Sequence, residues 1–376
     1  MTQFSIWKNC KYHNLFTATA YSIIFTITLT IFFVLANIIF PYPNILNSPN
    51  NVNLKLKYFA EHKDEYNAIF IGPSTTEHGI VPNLFDKLMA EQNREIKSFN
   101  GAIGGATVAE IDFYLRDIIA LKPANLNWLF IEYPDAMDEK LRNSGSARSI
   151  YWHTPKQTIL ALRIMLEKKH PLRLKFIIAY GNLKSFLYRI LSMGRFSNFW
   201  QQKVLHSNPL KIAKQQLLIE ESGYISLDRL AKYTSKWDNV RRKLLNNLDD
   251  YYQNVDKEIY KFKQRNTASI NLFKPYTLKV IKNMCDLIEE QGIKPIVFIS
   301  PTVGYEETTA MELYKSRNTS VVFALNNPEA FPTLYQVDNR WDFVHLNDRG
   351  AREFTRSMAE QFTKYLETEK SGIYPL

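Results

Sequence analysis

Apolar residues along this chain come in short unbroken runs, separated by stretches with helical spacing. Residues 68–71 (AIFI), 127–133 (NWLFIEY) and 293–300 (IKPIVFIS) have the length and composition of strands buried on both faces, and 97–100 reads as a shorter one. Between them, residues 82–92 put Leu84, Phe85, Leu88 and Met89 on one face behind a starting proline, and Val108–Ala120 reads as a second helix. A helix over 270–291 stops at Gly292, and one over 348–367 spaces Phe354, Met358, Phe362 and Leu366 for a single buried stripe. Residues 334–338 are read as a last short strand. The alternation of strand and helix predicts an α/β fold with a central parallel sheet and crossover helices.

Two regions depart from that rhythm. From about residue 140 to about 269, long stretches rich in Leu, Lys, Arg and Tyr keep helical spacing without any strand cluster, which predicts a helical insertion covering one side of the core. Residues 15–40 carry no charge and are dominated by Ile, Phe, Leu, Val, Ala and Thr. One membrane-spanning helix needs about 20 such residues, whereas the apolar core of a cleaved signal peptide has only about 7–15. Lys8 and Lys11 precede the run and the next charge is Lys55, so the positive-inside bias puts residues 1–14 in the cytoplasm and the rest outside. Residues 41–66 are then a linker, rich in Pro and Asn over 43–53, and 67–376 the folded domain.

Composition narrows the partners. The formal charge is +10, yet no run of consecutive Lys or Arg resembles a nucleic-acid tail. Such a balance suits an anionic membrane surface, an acidic polymer or no particular partner, and no nucleic acid is expected. The two cysteines, Cys10 and Cys285, fall on opposite sides of the membrane in this topology, so no intramolecular disulfide is expected. No Cys/His cluster has metal-ligand spacing, and neither a metal nor a cofactor is expected.

The candidate chemistry sits at strand ends. Residues 67–79 read NAIFIGPSTTEHG, so Gly72-Pro73 stops the first strand and leaves Ser74 at its carboxyl end, where open α/β sheets bind ligands. A serine hydroxyl near neutral pH needs an imidazole to take its proton, and the imidazole needs an acceptor to fix its tautomer. Asp342 and His345, three residues apart before the last helix, supply both from one tight loop. Small residues at 100–107 (NGAIGGAT) open the second crossover helix and let backbone N–H groups face a ligand. His78, four residues from Ser74, is read as a loop histidine, because a base approaches the nucleophile from another segment. Glu77, Glu132, Asp135, Trp152 and His153 are read as structural or substrate-shaping.

Alone each motif is common; jointly placed, they resemble the SGNH (GDSL-like) hydrolase and acyltransferase superfamily. The resemblance rests on Ile71-Gly72-Pro73-Ser74 with Gly79–Pro82, on residues 100–105, on 130–135, and on 342–347 with Gly350; it covers none of the insertion. It implies a three-layer α/β/α domain with Ser74 as nucleophile, His345 as base and Asp342 as its partner. Oxyanion donors fall on the backbone N–H of Ser74 and of the 100–105 turn, with Asn100, Ala102, Gly105, Tyr133 and His78 as oxyanion or substrate contacts. The chain departs from the family in carrying Ala102 where a glycine is usual, and Glu132-Tyr133 where an asparagine supplies a further donor. With a single membrane anchor, it is similar to bacterial envelope proteins of alginate O-acetylation and teichoic-acid D-alanylation. That similarity implies a periplasmic O-acyltransferase or esterase acting on a surface polysaccharide, beside a multi-spanning membrane acyltransferase. The alternatives are a catalytically silent glycan-binding or scaffolding subunit and, third, a lipase-like enzyme.

Overall fold

The computed structural model describes residues 3–39, 54–133, 139–141, 143–168, 170–193, 209–265, 276–303 and 321–371. At its centre lie five parallel strands: β1 (Ala68–Ile71), β2 (Ser98–Asn100), β3 (Trp128–Glu132), β4 (Lys294–Ile299) and β5 (Val322–Ala324), in the order β2-β1-β3-β4-β5. The first crossover moves from β1 to one side, and the second returns past β1 to the other. The carboxyl end of β1 is therefore a topological switch point, where such sheets open a crevice.

Alternation along β1 sends its side chains to two separate cores. Ala68 and Phe70 face α4 (Pro82–Glu91) and the last helix, Asp348–Ser371, through Phe85, Met89, Phe354 and Phe362. Ile69 and Ile71 face α5 (Val108–Ala120) and the helix Tyr276–Glu289, through Ile111, Leu115, Ile281 and Met284. Phe70 stacks on Phe130 at 4.4 Å between ring centres and meets Phe85 edge-on at 5.2 Å, which fixes β1 against β3 and α4.

The amino-terminal helix α1 (Gln3–Ile39) contains Leu15–Ala36, long and apolar enough to cross a membrane, with none of that window buried inside the protein.

Three expectations are corrected. Residues 334–338 are not a strand: Pro332–Tyr335 and Val337–Asn339 are 3₁₀ turns, and the adjacent Leu334 and Tyr335 are both buried, which strand alternation forbids for a one-faced strand. The last strand is β5. The linker does not extend to residue 66, because α2 (Leu54–Glu61) buries Leu56 and Phe59 in the core, with Phe59 5.6 Å from Phe99. The insertion is helical, comprising α6 (Ala147–Trp152), α7 (Pro155–Glu167), α8 (Leu172–Ile190), α9 (Pro209–Glu220), α10 (Leu227–Ala231), α11 (Ser235–Leu245) and α12 (Leu248–Arg265). It reaches both cores rather than one: Leu160 and Ile164 of α7 join the α5 side, and Tyr251 and Val255 of α12 join the α4 side.

Candidate active site

Gly72 ends β1 under tight constraint, since a Cβ there would lie 2.8 Å from the Glu132 Cβ. With Pro73 extended at φ −83°, the chain turns at once into the short helix α3 (Ser74–Glu77), and Ser74 opens it, half-buried. Beneath this turn the Glu132 carboxylate accepts the Thr75 hydroxyl at 2.5 Å and the Thr76 hydroxyl, and burial pushes its pKa up. Glu132 thus braces the residues after Ser74 instead of supplying a donor to a substrate.

From the far end of the chain, a loop folded by Arg340 brings in two more side chains. The fully buried Arg340 guanidinium donates to the carbonyls of Pro301 and Phe343, both at 2.6 Å, and of Asp342 at 3.3 Å, and a bridge between Arg340 and Leu346 closes the loop. Gly350 allows the last helix to approach closely, for a Cβ there would collide with the Asn339 carbonyl. The result is a chain of three: Ser74 Oγ lies 2.8 Å from His345 Nε2, and His345 Nδ1 lies 2.9 and 3.1 Å from the Asp342 oxygens. Asp342 Oδ1 also accepts the backbone N–H groups of Val344 at 2.7 Å and His345 at 2.6 Å. Burial alone would raise this carboxyl, but hydrogen bonds and charge from His345, with those two amides, hold its pKa at about 2. An ionised Asp342 keeps the proton on Nδ1 and leaves Nε2 able to accept from the hydroxyl.

The turn after β2 lies alongside: a Cβ on Gly104 would be 3.9 Å from that of Ser74. Its amide groups divide cleanly. Gly101 donates to Phe70, Ala102 to Asn100 Oδ1, Ile103 to Gly72 and Ala106 to Ile103, whereas the Gly104 and Gly105 N–H groups have no acceptor among the described residues. The N–H of Ser74, first in its helix, has none either. Arg148, held by two bonds of 2.7 and 2.9 Å to Glu110, donates at 3.0 Å to the Gly104 carbonyl. In a trans peptide the carbonyl and the following N–H point opposite ways, so this bond turns the Gly105 N–H away from Arg148. Gly105 adopts φ +70°, a conformation that favours glycine.

The other expected contacts are framework. The Ala102 N–H is spent on Asn100, whose own amide donates to the carbonyls of Thr76 and Ile80. The ring of Tyr133 is buried in the α5-side core. His78 lies with Nδ1 2.6 Å from the Ile225 carbonyl, and burial lowers its pKa to about 4, so it is a neutral donor tying the insertion to α3. Trp152 is buried in the α5-side core, His153 lies against Asn182, and Asp135 falls outside the described residues.

Four residues escaped the sequence reading. Lys55, nearly buried, donates to the Ala102 carbonyl at 2.8 Å and pairs with Glu77 at 3.3 Å, fixing the turn from below. Trp237 of α11 sets its ring 5.8 Å from that of His345 and 5.7 Å from that of His78. Arg148 and Arg340 complete the set; nothing in their local sequence distinguishes them from solvated cations. Compared with known proteins, the chain matches no protein-family model and no curated relative.

Proposed function

We propose that the chain is a membrane-anchored serine O-acyltransferase or esterase of the SGNH-like type, working outside the cytoplasm on a surface glycan. The observation that carries this reading is the 2.8 Å approach of Ser74 Oγ to His345 Nε2, with ionised Asp342 behind the imidazole. Ser74 Oγ attacks the carbonyl carbon of an acyl ester while His345 Nε2 takes the hydroxyl proton. The N–H groups of Ser74 and Gly105 are the donors for the oxyanion. Collapse breaks the ester bond, His345 returns the proton to the leaving alkoxide, and the acyl group stays on Ser74. A sugar hydroxyl then gives its proton to His345 and attacks the acyl-serine. The acyl–Oγ bond breaks and His345 returns that proton to Ser74 Oγ, regenerating the hydroxyl and the neutral imidazole; water in place of the sugar makes the reaction hydrolysis.

The proposed location rests on Leu15–Ala36, long and apolar enough to span a membrane, and on Lys8 and Lys11 at its amino-terminal side. A multi-spanning acyltransferase is the proposed source of the acyl group. The test uses the full chain in detergent with a p-nitrophenyl acetate type ester: turnover is expected, and Ser74→Ala is expected to lower it by about 10⁴–10⁶-fold. Undiminished turnover by that variant removes Ser74 from the mechanism.

Glu132 favours one second reading. A carboxylate engaged by Thr75 and Thr76 stands where the family carries a donor amide, as suits a subunit that binds glycan without reacting with it. That reading expects acidic oligosaccharide to bind while Ser74 stays unacylated.

A further inference from the structure

Helix α8 carries its amphipathicity reversed. Towards the protein it turns Ile178, Gly181, Asn182 and Ser185, all buried; Asn182 donates to the Glu139 carbonyl, and Ser185 to that of Gly181. Outward it turns Leu172, Phe176, Tyr180, Leu183 and Leu187, exposed by 75, 73, 69, 48 and 51%. At 100° per residue these five fall within an arc of about 80°. The neighbouring α7 also exposes Ile159 and Leu166. Large apolar side chains left in water forgo burial, and contiguous patches of this kind mark an interaction surface.

Two observations identify what covers the stripe. Helix α8 lies beside α1, whose apolar span has hydrocarbon as its natural surroundings. It also has four basic residues and no acidic one: Arg173 and Lys184 border one edge of the stripe and Lys175 the other, while Arg189 turns inward to the Ile150 carbonyl. These charges rule out a second span, and suit a helix of about 28 Å lying flat at a bilayer surface.

We propose that α8 is a membrane-interfacial helix whose apolar stripe enters the headgroup–acyl boundary of the bilayer that α1 crosses, with Arg173, Lys175 and Lys184 facing anionic headgroups. The chemistry at Ser74 plays no part in this inference. Because α6 packs on α8 and carries Arg148, the seat on the bilayer is mechanically continuous with the turn beside Ser74.

The experiment uses the full chain with Cys10→Ser and Cys285→Ala, reconstituted in vesicles of phosphatidylcholine and phosphatidylglycerol. Nitroxide labels are attached in turn through Phe176→Cys, Leu183→Cys and Leu187→Cys, three exposed positions, and through the exposed control Lys257→Cys on α12. Power saturation with oxygen and with a water-soluble nickel chelate reads their surroundings. The α8 labels are expected to favour oxygen over nickel several-fold more than the control does. Equal ratios at α8 and the control overturn the proposal. Labels shielded from both reagents overturn it too, since they would mark contact with a second copy of the chain.

Discussion

The sheet rim and the helical insertion meet at one site but contribute different things. The rim supplies every group of the Ser74–His345–Asp342 chain, each set by backbone within a strand end or a clamped loop. The insertion supplies no member of that chain; it supplies surroundings, with Arg148 orienting a peptide, the Ile225 carbonyl holding His78 and Trp237 beside the imidazoles. Their exteriors differ as well. The last helix of the sheet half buries Phe354, Met358 and Phe362, whereas α8 turns Leu172, Phe176 and Leu187 outward. Reactive geometry thus rests on the part of the molecule with the most ordinary core, and adaptation to a particular medium rests on the other.

That division can be broken at several levels. Asp342→Asn leaves the loop's shape but favours the wrong imidazole tautomer, and is expected to cost about 10⁴-fold in kcat, read from ester turnover. A loss below tenfold would mean that Asp342 only folds the loop. Phe362→Ala in the sheet half is expected to cost about 3–5 kcal/mol in chemical unfolding, against less than about 0.5 kcal/mol for Phe176→Ala in detergent. Equal losses would erase the contrast between the two exteriors. Arg148→Lys cannot grip Glu110 with a planar fork while also reaching the Gly104 carbonyl. It is expected to lower kcat by about 10²-fold at nearly constant KM, because the proposed role of the Gly105 N–H is to stabilise the oxyanion in the transition state. A raised KM at constant kcat would instead make Arg148 a ground-state binding residue.

How much of this is legible in the sequence depends on how locally it is encoded. Strands β1, β3 and β4 stand out because burial on both faces leaves unbroken apolar runs, and Val108–Ala120 matches its expected bounds. Asp342 and His345 are legible as a pair because three residues of tight loop suffice to join them. Gly105 is legible as one of the small residues of the 100–107 turn, and the structure gives it a positive φ; Ala102 is not excluded until the Asn100 side chain is seen to occupy its N–H. Strand β5 is not legible although Val321–Leu325 is apolar, since three strand residues at a sheet edge carry little periodic signal. The linker expectation failed at Lys55, a cation on a buried helix face made tolerable by a carboxylate and a carbonyl distant in sequence. Helical spacing in α8 reveals two faces but not which of them meets the protein.

The central claim is that Ser74 is made nucleophilic by His345. Treating the full chain with a fluorophosphonate and locating the adduct by peptide mass spectrometry tests it directly. Modification is expected at Ser74, and His345→Ala is expected to abolish it while the fold persists by circular dichroism. A folded wild-type chain with Ser74 unmodified, or equal labelling in the His345→Ala variant, would contradict it.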